Sequence, residues 1–194
     1  MADGATVDRL RLGDHVCWTF DDDRERSEAM AGYVRAGLRQ MQKILCFTDS
    51  MPTSTLLGEL EARGVAVDAG LRSGQLAVST SDDTYLTGGR FDPAAMLRRW
   101  GCEFAQASHE GYTGVRAVGD MSWGQRPVPG TEHLSSYEAE FNRVLSDGFG
   151  MGLCLYDRRL FSDSDLSRVV SAHPGTVGPR AGRDWVPLLR MVRT

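Results

Sequence analysis

The most chemically suggestive stretch of this sequence is an acidic run that follows a short apolar segment near the N-terminus. Residues 16–20 have the β-branched and aromatic composition of a strand, and Asp21, Asp22 and Asp23 come directly after them. In open α/β sheets, ligands lie at the C-terminal ends of strands. The three carboxylates therefore predict either a solvated cap on the helix that follows or a contact to a ligand or metal.

The same stretch lacks the residues that a phosphate-binding loop requires. Such a loop uses glycines that bring backbone N–H groups close to the phosphates, together with a lysine and a Ser or Thr. Residues 19–24 read Thr-Phe-Asp-Asp-Asp-Arg, with no glycine and no lysine. Their carboxylates would repel a triphosphate. The sequence thus argues against an ATPase and leaves an enzyme built on a degenerate nucleotide site as an alternative.

A second constellation combines His15, Cys17 and Cys154, which approach one another if the first and last core strands are neighbours. A His and Cys set with a carboxylate would bind Zn²⁺, and the same pair of residue types suits a thiol nucleophile. The spacing of two on a strand is equally typical of core residues, and no orienting acid is evident. We therefore expect no catalytic residue, no metal ligand and no cofactor.

Several further side chains could line a ligand pocket. Trp18 and Trp123 follow or end predicted strands and either flank an apolar pocket or are plain core aromatics. Asp120 ends a strand that we place beside the first strand, with Arg116 as its candidate partner. Residues 79–91 form a long polar loop that either acts as a lid over the crevice through Tyr85, Arg90 and Phe91 or packs as an ordered loop on the sheet edge.

A predicted helix over residues 133–146 carries Glu138 and Asn142 four positions apart, and therefore on one side. Tyr137 and Phe141 share the buried side of that helix, so Glu138 is expected to be partly or fully buried. A buried carboxylate needs a partner, for which Arg116 and Arg158 are candidates. A structural role is the preferred interpretation.

Composition limits the class of protein. The chain has 194 residues, a net charge of −4 and 41% apolar residues, which is ordinary for one globular domain and gives no basic field for direct contact with nucleic acid. No apolar run reaches 18 residues and the N-terminus does not resemble a secretory signal. The four widely spaced cysteines are expected to be free thiols in a cytoplasmic protein.

Apolar runs alternate with helical stripes along the chain. Strands are predicted at 16–20, 43–48, 76–78, 114–119 and 151–156, with helices between them and a further candidate strand at 185–192. This alternation predicts an α/β fold of three layers, with a mostly parallel sheet and helices on both faces. We expect one domain over residues 1–194, with its core at about 10–175 and a C-terminal strand or tail at 176–194.

Six ordered motifs over about residues 10–175 resemble the MEDS family, the methanogen/methylotroph sensory domain of DcmR-type regulators. They are GDHVCW at 13–18, TYL-x-x-GRFDP at 84–93, G-x-R-x-x-GDMSW at 114–123, YE-x-x-x-N at 137–142, LC-x-YDRR-x-F at 153–161 and HP at 173–174. The resemblance implies a RecA/KaiC-like core without a functional phosphate loop. It also implies a sensory role in two-component, transcription-factor or anti-sigma systems. Asp120 stands where the family more usually has the longer Glu.

Together these observations predict a sensory module for signal transduction or transcription regulation. It would bind a small organic molecule in a cavity at the C-terminal strand ends and act on a regulatory protein partner, with a homodimer left open. The alternative is an interaction module for a kinase or sigma-factor pathway that needs no ligand. The candidate ligand-binding residues are His15, Cys17, Trp18, Asp21, Tyr85, Arg90, Arg116, Asp120, Trp123, Glu138, Asn142, Tyr156 and Asp157. The cavity is expected to be bordered by Trp18, Tyr85, Asp120 and Tyr156.

Overall fold

Parallel strands form one sheet with helices on both faces in the computed structural model, which describes Val7 and residues 10–177. The strands are β1 (His15–Phe20), β2 (Lys43–Thr48), β3 (Leu76–Thr80), β4 (Val115–Asp120), β5 (Gly150–Asp157) and β6 (Gly175–Val177). The helices are α1 (Asp23–Arg39), α2 (Thr53–Glu61), α3 (Val67–Arg72), α4 (Pro93–His109), α5 (Leu134–Ser146) and α6 (Asp163–Ala172). Short 3-10 helices cover Met121–Gln125 and Thr131–His133.

The strand order is β3-β2-β4-β5-β1-β6, and every pairing in it is parallel. The predicted three-layer α/β class is confirmed.

Side-chain caps begin three of the helices. The Asp22 carboxylate accepts hydrogen bonds from the backbone N–H groups of Arg24 and Glu25 at the start of α1. Asp92 caps α4 in the same way, with proline at the first helical position, and Ser162 caps α6. These contacts satisfy N–H groups that have no partner within the helix.

The alternation of side chains along each strand divides the core into two halves. Cys17 and Cys154 lie opposite each other on β1 and β5, and their side chains belong to the half that is covered by α4, α5 and α6. Trp18 and its register partner Leu155 point to the other half, which is covered by α1, α2 and α3. We call these the α5 face and the α1 face of the sheet. The parity of a strand residue decides which face it reaches.

Two local features differ from the predicted elements. Residues 175–177, which lie outside the predicted strands, form the edge strand β6 beside β1. The segment after β3, predicted as a lid or as an ordered loop on the sheet edge, is part of the core because Tyr85 and Phe91 are buried on the α5 face, although Arg90 is exposed. The candidate strand at 185–192 lies outside the described residues. Within the described ranges, no helix has the length and apolar character needed to cross a membrane.

Candidate functional site

Four buried polar side chains meet on the α5 face between β1, β5, α5 and the end of α6. We call this set, His15, Glu138, Cys154 and His173, the His–Glu–Cys cluster. Oε2 of Glu138 lies 3.2 Å from Nε2 of His15 and 3.4 Å from Nε2 of His173. Sγ of Cys154 lies 3.3 Å from Nε2 of His15 and 3.7 Å from Oε2 of Glu138. One donor atom from each residue therefore lies within 4.8 Å of the other three.

Strand register and helix periodicity bring these residues together. His15 on β1 lies opposite Gly152 on β5, and a Cβ at Gly152 would be 3.0 Å from Cδ2 of His15. The glycine thus leaves room for the imidazole ring. Glu138 lies on α5 between Leu134 and Phe141, on the side of that helix that packs against the sheet. The carboxylate is fully buried as a result.

Outer partners fix the orientation of both imidazole rings. Nδ1 of His15 lies 2.6 Å from Oδ1 of Asn142, whose own amide nitrogen donates to the backbone oxygen of Ala172. Nδ1 of His173 lies 2.7 Å from the backbone oxygen of Val169. Because both partners are acceptors, we assign the proton to Nδ1 in each ring. In the neutral rings, Nε2 then faces the centre of the cluster with a lone pair.

The remaining oxygen of Glu138, Oε1, accepts a hydrogen bond from the Tyr156 hydroxyl at 2.8 Å. Burial raises the pKa of Glu138, but His173, His15 and the Tyr156 hydroxyl outweigh it and hold this pKa below its ordinary value. Burial and, to a smaller extent, His15 lower the pKa of His173 to about 4. The negative charge of Glu138 acts in the opposite direction and raises this pKa, but it does not offset them. We assign His173 as neutral, because burial disfavours its imidazolium form, and Glu138 as ionised, because its pKa is held below the ordinary value.

The cysteines of the α5 face are protonated thiols in this environment. Burial, and then the charge of Glu138, raises the pKa of Cys154 well above its ordinary value. The same two causes raise the pKa of Cys17, which pairs with Cys154 across β1 and β5. Neither thiol has the depressed pKa of an activated nucleophile.

A surface groove of about 290 Å³ opens beside the cluster, between the 3-10 helix after β4 and helices α5 and α6. We call it the α5–α6 groove. Its lining residues are Gly124, Gln125, Thr131, Glu132, Leu134, Ser135, Phe161, Asp165, Arg168 and Val169. The Phe161 ring packs at 5.1 Å on the ring of Tyr156, and the Val169 backbone oxygen holds His173. Two lining residues of the groove thus contact Tyr156 and His173.

The structure brings part of the candidate set together and separates the rest. His15, Glu138, Asn142 and Tyr156 meet in or around the cluster, with Cys17 next to it. Tyr85 and Trp123 stack on each other at 4.9 Å, elsewhere on the α5 face. Asp21 and Arg90 are exposed, whereas Asp120 and Asp157 are buried at the ends of β4 and β5.

Trp18 and Arg116 lie on the α1 face, and this overturns three expectations. Trp18 and Trp123 lie on opposite sides of the sheet, so they do not flank one pocket, and Trp18 cannot border a cavity with Tyr85 and Tyr156. Arg116 donates to the side-chain oxygen of Gln42 at 2.8 Å and stacks over Tyr33 at 4.5 Å. It therefore lies on the sheet face opposite Glu138 and is not the partner of that carboxylate.

Asp120 ties the end of β4 to the segment after β2. Its carboxylate accepts hydrogen bonds from the backbone N–H groups of Asp49 and Ser50 on one side and of Ser122 on the other. β5 lies between β4 and β1, so the expectation that Asp120 adjoins the first strand is wrong. The contacts indicate a structural role for this acid.

Residues 14–174 match the sequence model of the family described as "MEDS: MEthanogen/methylotroph, DcmR Sensory domain". The chain belongs to the MEDS family. A curated relative, the transcriptional repressor DcmR of Methylorubrum extorquens (strain DSM 6343 / CIP 106787 / DM4), is 25% identical over 166 residues, which cover 84% of this chain and 59% of the relative. This MEDS chain thus spans about three fifths of the length of that relative. Together the family and the relative support a sensory or regulatory role.

Solved structures confirm the KaiC-like fold of this MEDS chain. The KaiC-like protein PH0186 of Pyrococcus horikoshii OT3 superposes with a TM-score of 0.61 at 11% identity, over 91% of this chain and 76% of that one. The flagellar accessory protein FlaH of Methanocaldococcus jannaschii gives a TM-score of 0.60 at 11% identity, with the same coverage of both chains.

Acidic residues after β1 of this MEDS chain bond to other groups of the same chain. Asp22 occupies the N–H groups at the start of α1, where a phosphate group would otherwise bind. Arg159 bridges Asp23 and Asp157, with Nη2 at 2.8 Å and 2.6 Å from their carboxylate oxygens. This end of α1 therefore carries carboxylates in place of a phosphate loop.

His173 is the functional candidate that sequence reasoning missed, and Cys154 was considered but left out of the ligand set. The signal for His173 was present in the His-Pro pair that follows the last predicted helix. The sequence also showed that a buried Glu138 needs partners. The pairing of β1 with β5, on which a meeting of His15 and Cys154 depends, is confirmed.

Proposed function

We propose that this MEDS domain is a sensory module that binds a small organic molecule in the α5–α6 groove and signals its occupancy to a regulatory protein partner. The observation that carries the proposal is the contact between groove and cluster. Phe161 touches Tyr156, Val169 holds His173, and Leu134 precedes Glu138 by one turn of α5. A molecule in the groove would press on residues that position the buried charges.

The lining of the groove suggests the chemistry of the ligand. Leu134, Phe161 and Val169 offer an apolar surface, whereas Glu132 and the ion pair of Arg168 with Asp165 offer polar contacts. The volume of about 290 Å³ lies at the lower end of the range for small-molecule sites. These features favour a compact organic molecule with one polar or charged group.

The signal would travel through α6. This helix lines the groove and is followed directly by His173 and then by β6 at the sheet edge. A shift of α6 therefore changes both the cluster and the edge strand. The edge strand of a sheet offers backbone N–H and C=O groups with which a partner protein could pair.

Thermal unfolding of the full chain with a panel of small alcohols, amines and carboxylic acids tests the proposal. A compound present at 100 times its dissociation constant stabilises the fold by about 2.7 kcal/mol, which raises Tm by roughly 5–11 °C. Native mass spectrometry of the purified chain provides an independent search for a co-purified molecule.

Two adjacent serines of α5 provide a matched pair of variants. Ser135 lines the groove, whereas Ser136 is exposed and does not line it. Ser135→Trp should fill the groove and abolish the shift in Tm, and Ser136→Trp should keep it. A shift that survives in Ser135→Trp contradicts binding in the groove, and a panel without any active compound favours the ligand-free interaction module.

A further inference from the structure

We propose that the His–Glu–Cys cluster binds a single Zn²⁺ ion. The ligands would be Nε2 of His15, Oε2 of Glu138, Sγ of Cys154 and Nε2 of His173. This inference does not depend on the α5–α6 groove, and it departs from the expectation that the sequence holds no metal ligand.

Four of the six distances between the donor atoms match those of a tetrahedral ion, and all six lie within 4.8 Å. With Zn–N and Zn–O bonds of about 2.0–2.1 Å and a Zn–S bond of about 2.3 Å, a tetrahedral site places N and O about 3.3 Å apart and S about 3.6 Å from either. Oε2 of Glu138 lies 3.2 Å and 3.4 Å from Nε2 of His15 and His173. Sγ of Cys154 lies 3.3 Å from Nε2 of His15 and 3.7 Å from Oε2 of Glu138.

The outer partners are those that a metal site requires. A ligating histidine donates its other ring N–H to a carbonyl or carboxylate oxygen, which fixes the tautomer that binds the metal. Asn142 accepts from Nδ1 of His15, and the backbone oxygen of Val169 accepts from Nδ1 of His173. The Tyr156 hydroxyl holds the oxygen of Glu138 that points away from the other donors.

An orphaned atom points independently to a missing partner. Nε2 of His173 is buried without a hydrogen-bond partner, and the side chain is fully inaccessible. Nearly all buried polar atoms have a partner, so this one requires an explanation. It faces Oε2 of Glu138 at 3.4 Å, with no hydrogen bond between the two atoms. A cation between them would bond to both.

The donor types select the metal. Two imidazoles, one thiolate and one carboxylate suit Zn²⁺ and related transition-metal ions, whereas Mg²⁺ and Ca²⁺ prefer sites made of oxygen. Cys154 would release its thiol proton to solvent on binding. The thiolate and the carboxylate then balance the two charges of the ion, and the buried site becomes electrically neutral. With four protein ligands, it is a closed site of the structural kind.

Metal titration of the full chain, purified and then stripped with a chelator, tests the proposal. Elemental analysis and native mass spectrometry should give one Zn²⁺ per chain, with no uptake of Mg²⁺ under the same conditions. Co²⁺ in place of Zn²⁺ should give a thiolate-to-metal charge-transfer band in the near ultraviolet and the visible bands of a tetrahedral ion. Absence of stoichiometric Zn²⁺ binding by the wild-type chain overturns the proposal without any variant.

Variants locate the site. Cys154→Ser and His173→Gln should lose stoichiometric binding, and Cys154→Ser should also lose the charge-transfer band. Cys17→Ser, which changes the neighbouring buried thiol of the same face, should keep both. Asn142→Ala removes only an outer partner and should weaken binding by roughly 10–100-fold. Circular dichroism establishes that each variant is folded. Binding that persists in both folded ligand variants, or a band lost in Cys17→Ser and kept in Cys154→Ser, would place the metal elsewhere and refute the proposal.

Discussion

Replacing Tyr156 with phenylalanine removes one hydroxyl and tests the charge that we assign to Glu138. The hydroxyl donates at 2.8 Å to a carboxylate that is fully buried. A hydrogen bond to a charged group contributes about 1.5–3 kcal/mol, compared with about 0.5–1.5 kcal/mol for a neutral pair. We therefore expect Tyr156→Phe to lower the free energy of unfolding by about 1.5–3 kcal/mol.

Tyr33→Phe is the matched control on the other face of the sheet. Its hydroxyl is also fully buried, but it donates at 3.0 Å to a neutral acceptor, the backbone oxygen of Ala117. Removal of this hydroxyl should lower the free energy of unfolding by about 0.5–1.5 kcal/mol.

Urea denaturation in the presence of a chelator, monitored by tryptophan fluorescence, measures the loss of unfolding free energy in both variants without a contribution from bound metal. The slope of unfolding free energy against urea should stay unchanged, so that midpoints compare directly. In a Glu138→Gln background, the cost of Tyr156→Phe should fall to that of a neutral pair. Equal losses in Tyr156→Phe and Tyr33→Phe would refute the assignment of an ionised Glu138.

Two further predictions concern helix packing and capping, measured by the same denaturation. Gly37→Ala on α1 should destabilise the fold by about 1–3 kcal/mol, because the added Cβ would lie 2.9 Å from side-chain atoms of both Arg116 and Ile44. Gly58→Ala on α2 should stabilise the fold by about 0.5–1 kcal/mol, because nothing lies within 4 Å of the added Cβ. A more stable Gly37→Ala than Gly58→Ala would contradict this view of α1 packing. Asp22→Ala should cost about 0.5–2 kcal/mol through loss of the cap of α1, and an unchanged midpoint would show that the cap contributes nothing.

The layer architecture followed from the sequence because its signals are local. The strand at 43–48 is a continuous apolar run, and Asp92-Pro93 is a complete start signal for α4. β6 gave no such signal, because it has only three residues and forms by pairing with β1. Its existence depends on tertiary contacts that composition does not record.

The candidate site was predicted in part. Glu138 and Asn142 share one side of α5, and that much follows from helix periodicity. Side chains alternate between the two faces along a strand, and this separates Trp18 from Cys17. The same alternation, applied to β4, would have placed Arg116 on the α1 face. The arrival of His173 at Glu138 depends on where α6 ends relative to β1, which no local pattern gives.

The position of β1 in the sheet has a consequence for synthesis on the ribosome. β1 leaves the ribosome before the other described strands, yet its partners in the sheet are β5 and β6. About 130 residues separate Phe20 from Gly150, and at 5–20 residues per second their translation takes roughly 7–26 s. Throughout that interval the nascent chain carries an unpaired apolar strand with Val16, Trp18 and Phe20. Insertion of β1 between its two partners is therefore a late event in folding, and an unpaired apolar strand of this kind favours aggregation until then.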